Sequence, residues 1–239
     1  MEKITGLAKR IIIALDVKSK EDAFYIIKQL DQAEIFKVGL KLFASEGPQL
    51  LRKIKVLRKK IFLDLKLHDI PNTVAETVKA GVRHGVDMMT LHASGGREML
   101  ARAVEAAKSE AEKIGVKESL LLAVTVLTSL KEENLKELGI AENPIDHVLR
   151  LAMLARQEGV EGVVCSPQEI KVIKEKIGKD FIVVVPGIRP SWAAAHDQKR
   201  IMTPSQAIQK GADYLVVGRP ILEASSPHKA YLRILEEIK

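Results

Sequence analysis

Acidic and basic side chains alternate in one short stretch of the sequence. Asp64 directly follows the apolar run 61–63, and Lys66 and Asp69 come shortly after it. Because side chains alternate between the two faces of a strand, Asp64 and Lys66 share one face. An ammonium group held beside carboxylates can stabilise negative charge on a substrate and can then donate a proton. The alternative is a structural ion pair, because clusters of charge also arise without catalysis.

Two earlier apolar runs end in charged residues that we expect at the same place. Asp16 closes the first run and Lys37 lies near the end of the second, whereas Lys41 falls in the following turn and is expected in solvent. In parallel strands, Asp16 and Lys37 meet the charges of the third strand at one rim, with Asp69 just beyond. Opposite charges about 4 Å apart gain about 4 kcal/mol at an effective dielectric constant of 20. This convergence favours a reactive site over a structural ion pair.

Two later runs end in residues suited to an anion. The seventh ends in Pro186-Gly187-Ile188-Arg189 and the eighth in Gly218-Arg219-Pro220. Glycine lets the backbone approach a ligand closely, arginine supplies a planar pair of donors, and a helix that begins after Arg219 presents amide groups. Barrels of alternating strands and helices often bind phosphate with their seventh and eighth loops. We therefore predict a phosphate site there, and a functional lid in the long segment 187–203.

Eight β-rich runs alternate with amphipathic helical stretches along the chain. The predicted strands are 11–16, 34–38, 60–66, 86–91, 119–126, 161–165, 181–185 and 213–217. The predicted helices are 20–30, 45–58, 72–84, 97–113, 132–158 with a break at Pro144, 167–177, 204–210 and 221–237. This order predicts parallel βαβ units, arranged as a closed barrel or as an open doubly wound sheet.

The turn after the first strand decides between these two architectures. An open sheet of the dinucleotide-binding kind carries a glycine-rich turn there, but this chain has Leu15-Asp16-Val17-Lys18. No linker or low-complexity segment divides the 239 residues, a length typical of a barrel. We therefore predict the α/β class and a single (β/α)8 TIM barrel that forms one domain over residues 1–239.

Composition narrows the classes of partner. The 38 Lys and Arg residues exceed the 31 Asp and Glu residues, an excess that suits nucleic acid or a small anionic substrate. Aromatic residues make up only 4%, so we expect no stacking surface for nucleic acid. No apolar run is long enough to span a membrane, and the one cysteine, Cys165, admits no internal disulfide and no multi-cysteine metal site. We expect a cytoplasmic location.

Seven stretches together resemble the orotidine 5′-phosphate decarboxylase family over nearly the whole chain. They are 14–16, 36–39, 64–73, 127–129, 186–189, 197–200 and 217–221. The ten residues from Asp64 to Thr73 are the most specific. The resemblance implies a barrel enzyme that decarboxylates orotidine 5′-monophosphate to uridine 5′-monophosphate in de novo pyrimidine synthesis. It also implies a homodimer and a reaction that needs no cofactor or metal.

The resemblance assigns roles to individual residues. The catalytic set is Lys66 as proton donor, Asp64 and Asp69 as the acids that hold it, and Lys37. The substrate-binding set is Asp16, Lys37, Asp64, Ile70, Thr73, Thr128, Pro186, Arg189, Gln198, Gly218 and Arg219. Within it, Asp16 and Lys37 hold the ribose hydroxyls, Thr128 reads the pyrimidine edge, and Gln198 belongs to the lid over the phosphate. Asp69, Ile70 and Thr73 reach into the site of the partner subunit.

Two other functions remain open. A magnesium-dependent barrel aldolase such as hexulose-phosphate synthase also carries Asp-x-Lys-x-x-Asp and would use the acids as metal ligands. The run 70–73 and Gln198 argue against it, and activity that survives a chelator would exclude it. A non-catalytic anion or nucleic-acid binder would instead show steeply salt-dependent binding. His68 and His92 have no third ligand at metal spacing, so we predict hydrogen-bonded structural roles for them.

Overall fold

The computed structural model describes residues 6–193 and 202–239. Eight strands are present: β1 (Ile11–Ala14), β2 (Ile35–Gly39), β3 (Lys60–Leu67), β4 (Met88–His92), β5 (Leu120–Val124), β6 (Gly162–Val164), β7 (Ile182–Val185) and β8 (Tyr214–Val217). They pair in parallel in chain order, and β8 pairs with β1 to close the barrel. The predicted (β/α)8 TIM barrel is therefore confirmed.

Helices connect the strands on the outside of the barrel. They are α1 (Lys20–Gln29), α2 (Leu40–Glu46), α3 (Gln49–Val56), α4 (Pro71–Arg83), α5 (Gly96–Ile114), α6 (Glu132–Glu137), α7 (Pro144–Gln157), α8 (Ile170–Lys176), α9 (Pro204–Gln209), α10 (Arg219–Leu222) and α11 (Pro227–Glu237). Within the described ranges, no helix has the length and hydrophobicity needed to cross a membrane.

Two helices that the sequence predicts as single elements are each divided. The predicted helix 45–58 is α2 followed by α3, because Gly47 takes a φ of 65° and ends α2. The predicted helix 221–237 is α10 followed by α11, with the side chain of Ser226 capping the second helix. The predicted break at Pro144 is confirmed, since α7 begins at that residue.

The inward face of the barrel changes from apolar to polar toward the carboxyl ends of the strands. The apolar cluster inside the barrel consists of Ile12, Ala14, Ile35, Phe62, Met88, Leu122, Val184 and Val216. The next inward positions of β2, β3 and β4, each two residues further along the strand, are occupied by Lys37, Asp64 and Thr90. Leu65 and Leu67 pack instead against the helix-side core, as predicted. Strand alternation therefore directs the charges to the rim at which barrel active sites lie.

At the opposite rim, an acidic residue directly precedes each even-numbered strand, and three of these residues, Asp87, Glu161 and Asp213, bind the preceding strand. Each accepts a hydrogen bond from a backbone N–H of the preceding strand: Ile61 to Asp87 at 2.8 Å, Leu121 to Glu161 at 3.0 Å and Val183 to Asp213 at 2.7 Å. These bonds tie β3 to β4, β5 to β6 and β7 to β8 where the strands begin. In barrels this rim contributes to stability, not to chemistry.

Candidate active site

The ammonium group of Lys37 lies between two carboxylates. Its Nζ is 3.0 Å from Asp16 Oδ1 and 3.6 Å from Asp64 Oδ2. Lys66 Nζ in turn donates to Asp64 Oδ1 at 2.9 Å. The predicted alternation of charge across the first three strands is therefore present, in the order Asp16, Lys37, Asp64, Lys66.

Burial differs along this row of charges. The side chains of Lys37 and Asp64 are 11% and 14% exposed, whereas those of Lys66 and Asp16 are 39% and 59% exposed. Attraction between the inner two charges is strengthened because little water screens them. The outer two remain open to a ligand. Lys41, which the sequence places in solvent, is exposed.

A cavity of about 250 Å³ opens beside the row of charges. Its lining includes Asp16, Lys37 and Asp64 from the ends of the first three strands, and Pro186, Arg189, Gly218 and Arg219 from the segments that follow β7 and β8. The charged rim and the anion site, which the sequence predicts separately, therefore face one space. A ligand in this cavity can contact both.

The anion side of the cavity is built from guanidinium groups. Gly187 has a φ of 76°, a left-handed conformation that favours glycine, and the following turn leads to Arg189, which is 5% exposed. The prediction that the helix after Arg219 presents free amide groups to an anion is wrong. The amides of Ile221 and Leu222 donate to the carbonyl of Gly218 at 2.9 and 3.0 Å, and the proline between them and Arg219 has no N–H.

Three of the predicted residues lie on the surface beyond β3. Asp69, Ile70 and Thr73 are exposed, and the Ile70 side chain, although apolar, is 68% exposed. The Asp69 carboxylate accepts a hydrogen bond from the backbone N–H of Ile70 at 2.7 Å. Among the described residues of this chain, no hydrogen bond or ion pair joins Asp69 to Lys66.

The predicted pyrimidine contact, Thr128, lies in a described loop, whereas the predicted lid is described only in part. Thr128 is exposed in the loop that follows β5, outside the walls of the cavity. The segment 187–203 is described up to Ala193 and again from Met202. Gln198 lies outside the described residues, so its role remains a prediction.

A pair of histidines stands beside Lys66. The rings of His68 and His92 stack with centroids 5.3 Å apart, and His92 Nδ1 lies 2.6 Å from Ser94 Oγ. Burial lowers the pKa of His92, and the charges of His68 and Lys66 lower it further. The hydrogen bond of His92 agrees with the predicted structural role. In the described part of the chain, no group of three or more His, Cys, Asp or Glu side chains could hold a metal ion.

Comparison with known proteins gives the family. A model of the family described as orotidine 5′-phosphate decarboxylase / HUMPS matches residues 9–234. The orotidine 5′-phosphate decarboxylase of a Nostoc species is 50% identical over 230 residues, which are 96% of this chain and 97% of that protein. This chain belongs to the orotidine 5′-phosphate decarboxylase / HUMPS family. The resemblance found in the sequence is therefore confirmed.

Other members of the decarboxylase / HUMPS family match over similar lengths. The orotidine 5′-phosphate decarboxylase of Syntrophomonas wolfei is 48% identical over 234 residues, 97% of this chain and 98% of that protein. The crystal structure of the enzyme of that name from Lactobacillus acidophilus superposes with a TM-score of 0.87 at 38% identity, covering 97% and 99% of the two chains. Every predicted site residue falls within the matched range 9–234.

Two residues at the site have no role in the sequence-based prediction. Thr90 donates to Asp64 Oδ1 at 3.0 Å and accepts from the backbone N–H of Lys66 at 2.9 Å. Gly39 lies so close to Lys37 that a Cβ built there would be 3.0 Å from Nζ. For Thr90 a signal was present, because a polar residue at an inward position of β4 stands beside the polar layer of β3. Gly39 belongs to the family motif 36–39, but the motif does not show why glycine is needed at that position.

Proposed function

We propose that this chain decarboxylates orotidine 5′-monophosphate to uridine 5′-monophosphate in de novo pyrimidine synthesis. The observation that carries the proposal is the Lys66 ammonium, bonded to Asp64 at the rim, beside a cavity that Asp64, Arg189 and Arg219 line together. This arrangement offers a proton donor at one end of a substrate and cations for a phosphate at the other. Family membership supplies the reaction that needs both.

The reaction requires the protein to stabilise and then protonate a carbanion at C6 of the substrate. The bond between C6 and the carboxylate carbon breaks, its electron pair stays on C6, and carbon dioxide leaves. Lys66 stabilises the developing negative charge and then transfers its proton to C6, leaving an amine that regains a proton from water. Asp64, on which the Lys66 ammonium is fixed at 2.9 Å, orients the donor before the charge forms.

The other residues of the proposed site bind the ribose, the phosphate and the pyrimidine ring of the substrate. Asp16 and Lys37, joined at 3.0 Å, offer an acceptor and a donor suited to the ribose hydroxyls. Arg189 and Arg219 bind the phosphate, with Pro186 and Gly218 shaping the backbone around it. Binding energy from the phosphate then contributes to the transition state at the distant carbon. Thr128 and Gln198 complete the set at the pyrimidine and the phosphate.

The active unit in this proposal is a homodimer with shared sites. The exposure of Asp69, Ile70 and Thr73 supports it, because residues that contact a partner subunit must be accessible in the single chain. Asp69 of one subunit would then hold the Lys66 of its partner. The proposal includes no cofactor, nucleic acid or membrane as partner and places the protein in the cytoplasm.

The magnesium-dependent aldolase is the alternative on the same barrel. A divalent cation held by Asp16 and Asp64 would meet the Lys37 ammonium, which already lies 3.0 Å and 3.6 Å from these two carboxylates. This contact favours the decarboxylase, because a second cation there would be repelled.

An ultraviolet assay of orotidine 5′-monophosphate tests the proposal directly. We expect the absorbance of the orotate ring to fall at the same rate with and without a chelator. The product should run as uridine 5′-monophosphate, and carbon dioxide should be released in equal amount. Absence of turnover, or turnover that a chelator stops and magnesium restores, would contradict the proposal.

A further inference from the structure

We infer that Thr90 is a positioning residue that holds Lys66 and Asp64 in their reactive arrangement. The inference rests on the proposed function, in which Lys66 donates the proton. Thr90 lies in β4 and is 0% exposed. It therefore acts on the reaction through its two neighbours and not by touching the substrate.

The pairing of β3 with β4 is interrupted at Thr90. The two strands are in register up to Leu63 and again at Leu67, but between these points the three residues 64–66 face the single residue Thr90. Lys66 takes a φ of 52°, which is uncommon for any residue other than glycine. The extra residues re-aim the side chain of Lys66, as bulges beside active sites do.

The hydroxyl group of Thr90 replaces the missing ladder partner. The backbone N–H of Lys66 donates to Oγ1 at 2.9 Å, and Oγ1 donates to Asp64 Oδ1 at 3.0 Å. The direction of both bonds is fixed, because an amide N–H can only donate and an ionised carboxylate can only accept. One hydroxyl thus fixes the backbone of the proton donor and the carboxylate to which that donor is bonded.

Loss of this hydroxyl leaves the partly buried Lys66 N–H without its partner and Asp64 Oδ1 with one donor fewer. Because the left-handed conformation of Lys66 is unfavourable, the interrupted stretch then relaxes and Nζ moves away from Asp64. A displacement of about 1 Å at a reacting group can reduce turnover on the order of 100-fold. Arg189 and Arg219, which bind the phosphate in the proposed function, follow β7 and β8, neither of which pairs with β3 or β4.

Thr90→Val tests the inference, because valine keeps the shape and β-branching of threonine and removes only the hydroxyl. We expect kcat for orotidine 5′-monophosphate to fall about 10- to 100-fold with KM unchanged. Thr90→Ser restores the hydroxyl and should return kcat close to the wild-type value. Thr125→Val is the matched control, since Thr125 is also buried but its hydroxyl has no hydrogen-bond partner among the described residues.

Crystal structures of wild type and Thr90→Val provide a readout that does not depend on activity. We expect the Lys66 Nζ to leave hydrogen-bond distance of Asp64 in the variant. Wild-type kcat in Thr90→Val, or an equal loss in Thr90→Ser, would overturn the inference. If the wild-type protein itself shows no decarboxylation, the proposed function fails, and an unchanged Lys66–Asp64 contact in the variant would then overturn the inference independently.

Discussion

Gly39 lies against the ammonium group of Lys37: a Cβ built on Gly39 would be 3.0 Å from Nζ and 3.5 Å from Asp16 Oδ1. Its φ of −90° is open to any residue, so backbone conformation does not require glycine here. The requirement is space. A methyl group would enter the contact between Lys37 and Asp16, and Nζ cannot retreat freely because Asp64 holds its other side.

Gly39→Ala should therefore lower kcat/KM about tenfold, because displacing the buried Lys37 ammonium by a few tenths of an ångström resembles overpacking of a core. Steady-state kinetics with orotidine 5′-monophosphate measure the effect. Gly6→Ala is the control, since a Cβ there meets no atom of the described residues within 4 Å, and the variant should leave both kcat and KM unchanged. Equal kinetics for the two variants would show that Lys37 tolerates the methyl group.

Lys66→Ala should reduce turnover by at least about 1,000-fold, because it removes the proton donor and the cation that faces the developing charge. The free energy of unfolding should change by less than about 1 kcal/mol, since the Lys66 side chain is 39% exposed. Single-turnover kinetics and urea denaturation separate the two effects. Lys41→Ala removes an exposed lysine from the same end of the barrel and should change neither turnover nor the free energy of unfolding. Substantial activity in Lys66→Ala would assign the proton to another group.

Most of the fold could be predicted because strand alternation and helical periodicity are local signals. The eight strands and the break at Pro144 follow from them, and the closed barrel follows from the turn after the first strand, which lacks the glycine-rich pattern of an open sheet. The division of 45–58 could not be predicted in the same way, because the amphipathic pattern continues across Gly47 and only its φ of 65° ends the helix. The division of 221–237 could not be predicted for a similar reason, since the apolar spacing continues across the cap at Ser226.

In the candidate site too, local sequence signals predict some features and not others. The charged row from Asp16 to Lys66 could be predicted, because each charge occupies an inward position at the end of a strand. The conformation that aims Lys66 could not, because two extra residues in β3 preserve the alternation that the sequence displays. The hydroxyl that holds this irregular stretch comes from Thr90, 24 residues away. Such a contact follows from the register between two strands and not from either strand alone.

Mixing Lys66→Ala with Asp69→Ala tests whether subunits share their sites. Each variant alone should be inactive, but a mixed dimer contains one site with both wild-type groups. After subunit exchange at equal concentrations, activity should return to about one quarter of the wild-type value, because half of the dimers are mixed and each has one intact site. The double variant mixed with wild type is the control for exchange. No recovery in dimers that have exchanged would place Asp69 outside the partner's site.

Arg219→Ala should weaken binding of phosphorylated ligands selectively. A charge-assisted pair of hydrogen bonds contributes about 1.5–3 kcal/mol, so the Kd for uridine 5′-monophosphate should rise about 10- to 100-fold. Calorimetric titration with uridine, which lacks the phosphate, serves as the comparison and should give the same Kd for variant and wild type. Equal weakening for both ligands would place Arg219 at the nucleoside instead.

Stability at the opposite rim should depend on pH through Glu161. Asp87 and Asp213 pair with Lys55 and Lys174 at 2.9 and 2.7 Å, whereas no ion pair of Glu161 occurs in the described ranges. Burial raises the pKa of Glu161 above its ordinary value of 4.5. Below that pH the carboxyl is protonated in both states and has no effect. As pH rises, the unfolded chain ionises first, so the wild type loses stability until the raised pKa is passed.

Glu161→Gln should therefore be more stable than wild type at pH 7, with the difference vanishing near pH 4. The amide oxygen of glutamine can still accept the hydrogen bond from the Leu121 N–H, which spans 3.0 Å in the wild type. Urea denaturation across this pH range measures the difference. Asp213→Asn is the matched control and should be less stable by about 1 kcal/mol at pH 7, because it loses the ion pair with Lys174. A Glu161→Gln protein that is less stable than wild type at pH 7 would mean that the carboxylate is stabilising despite its burial.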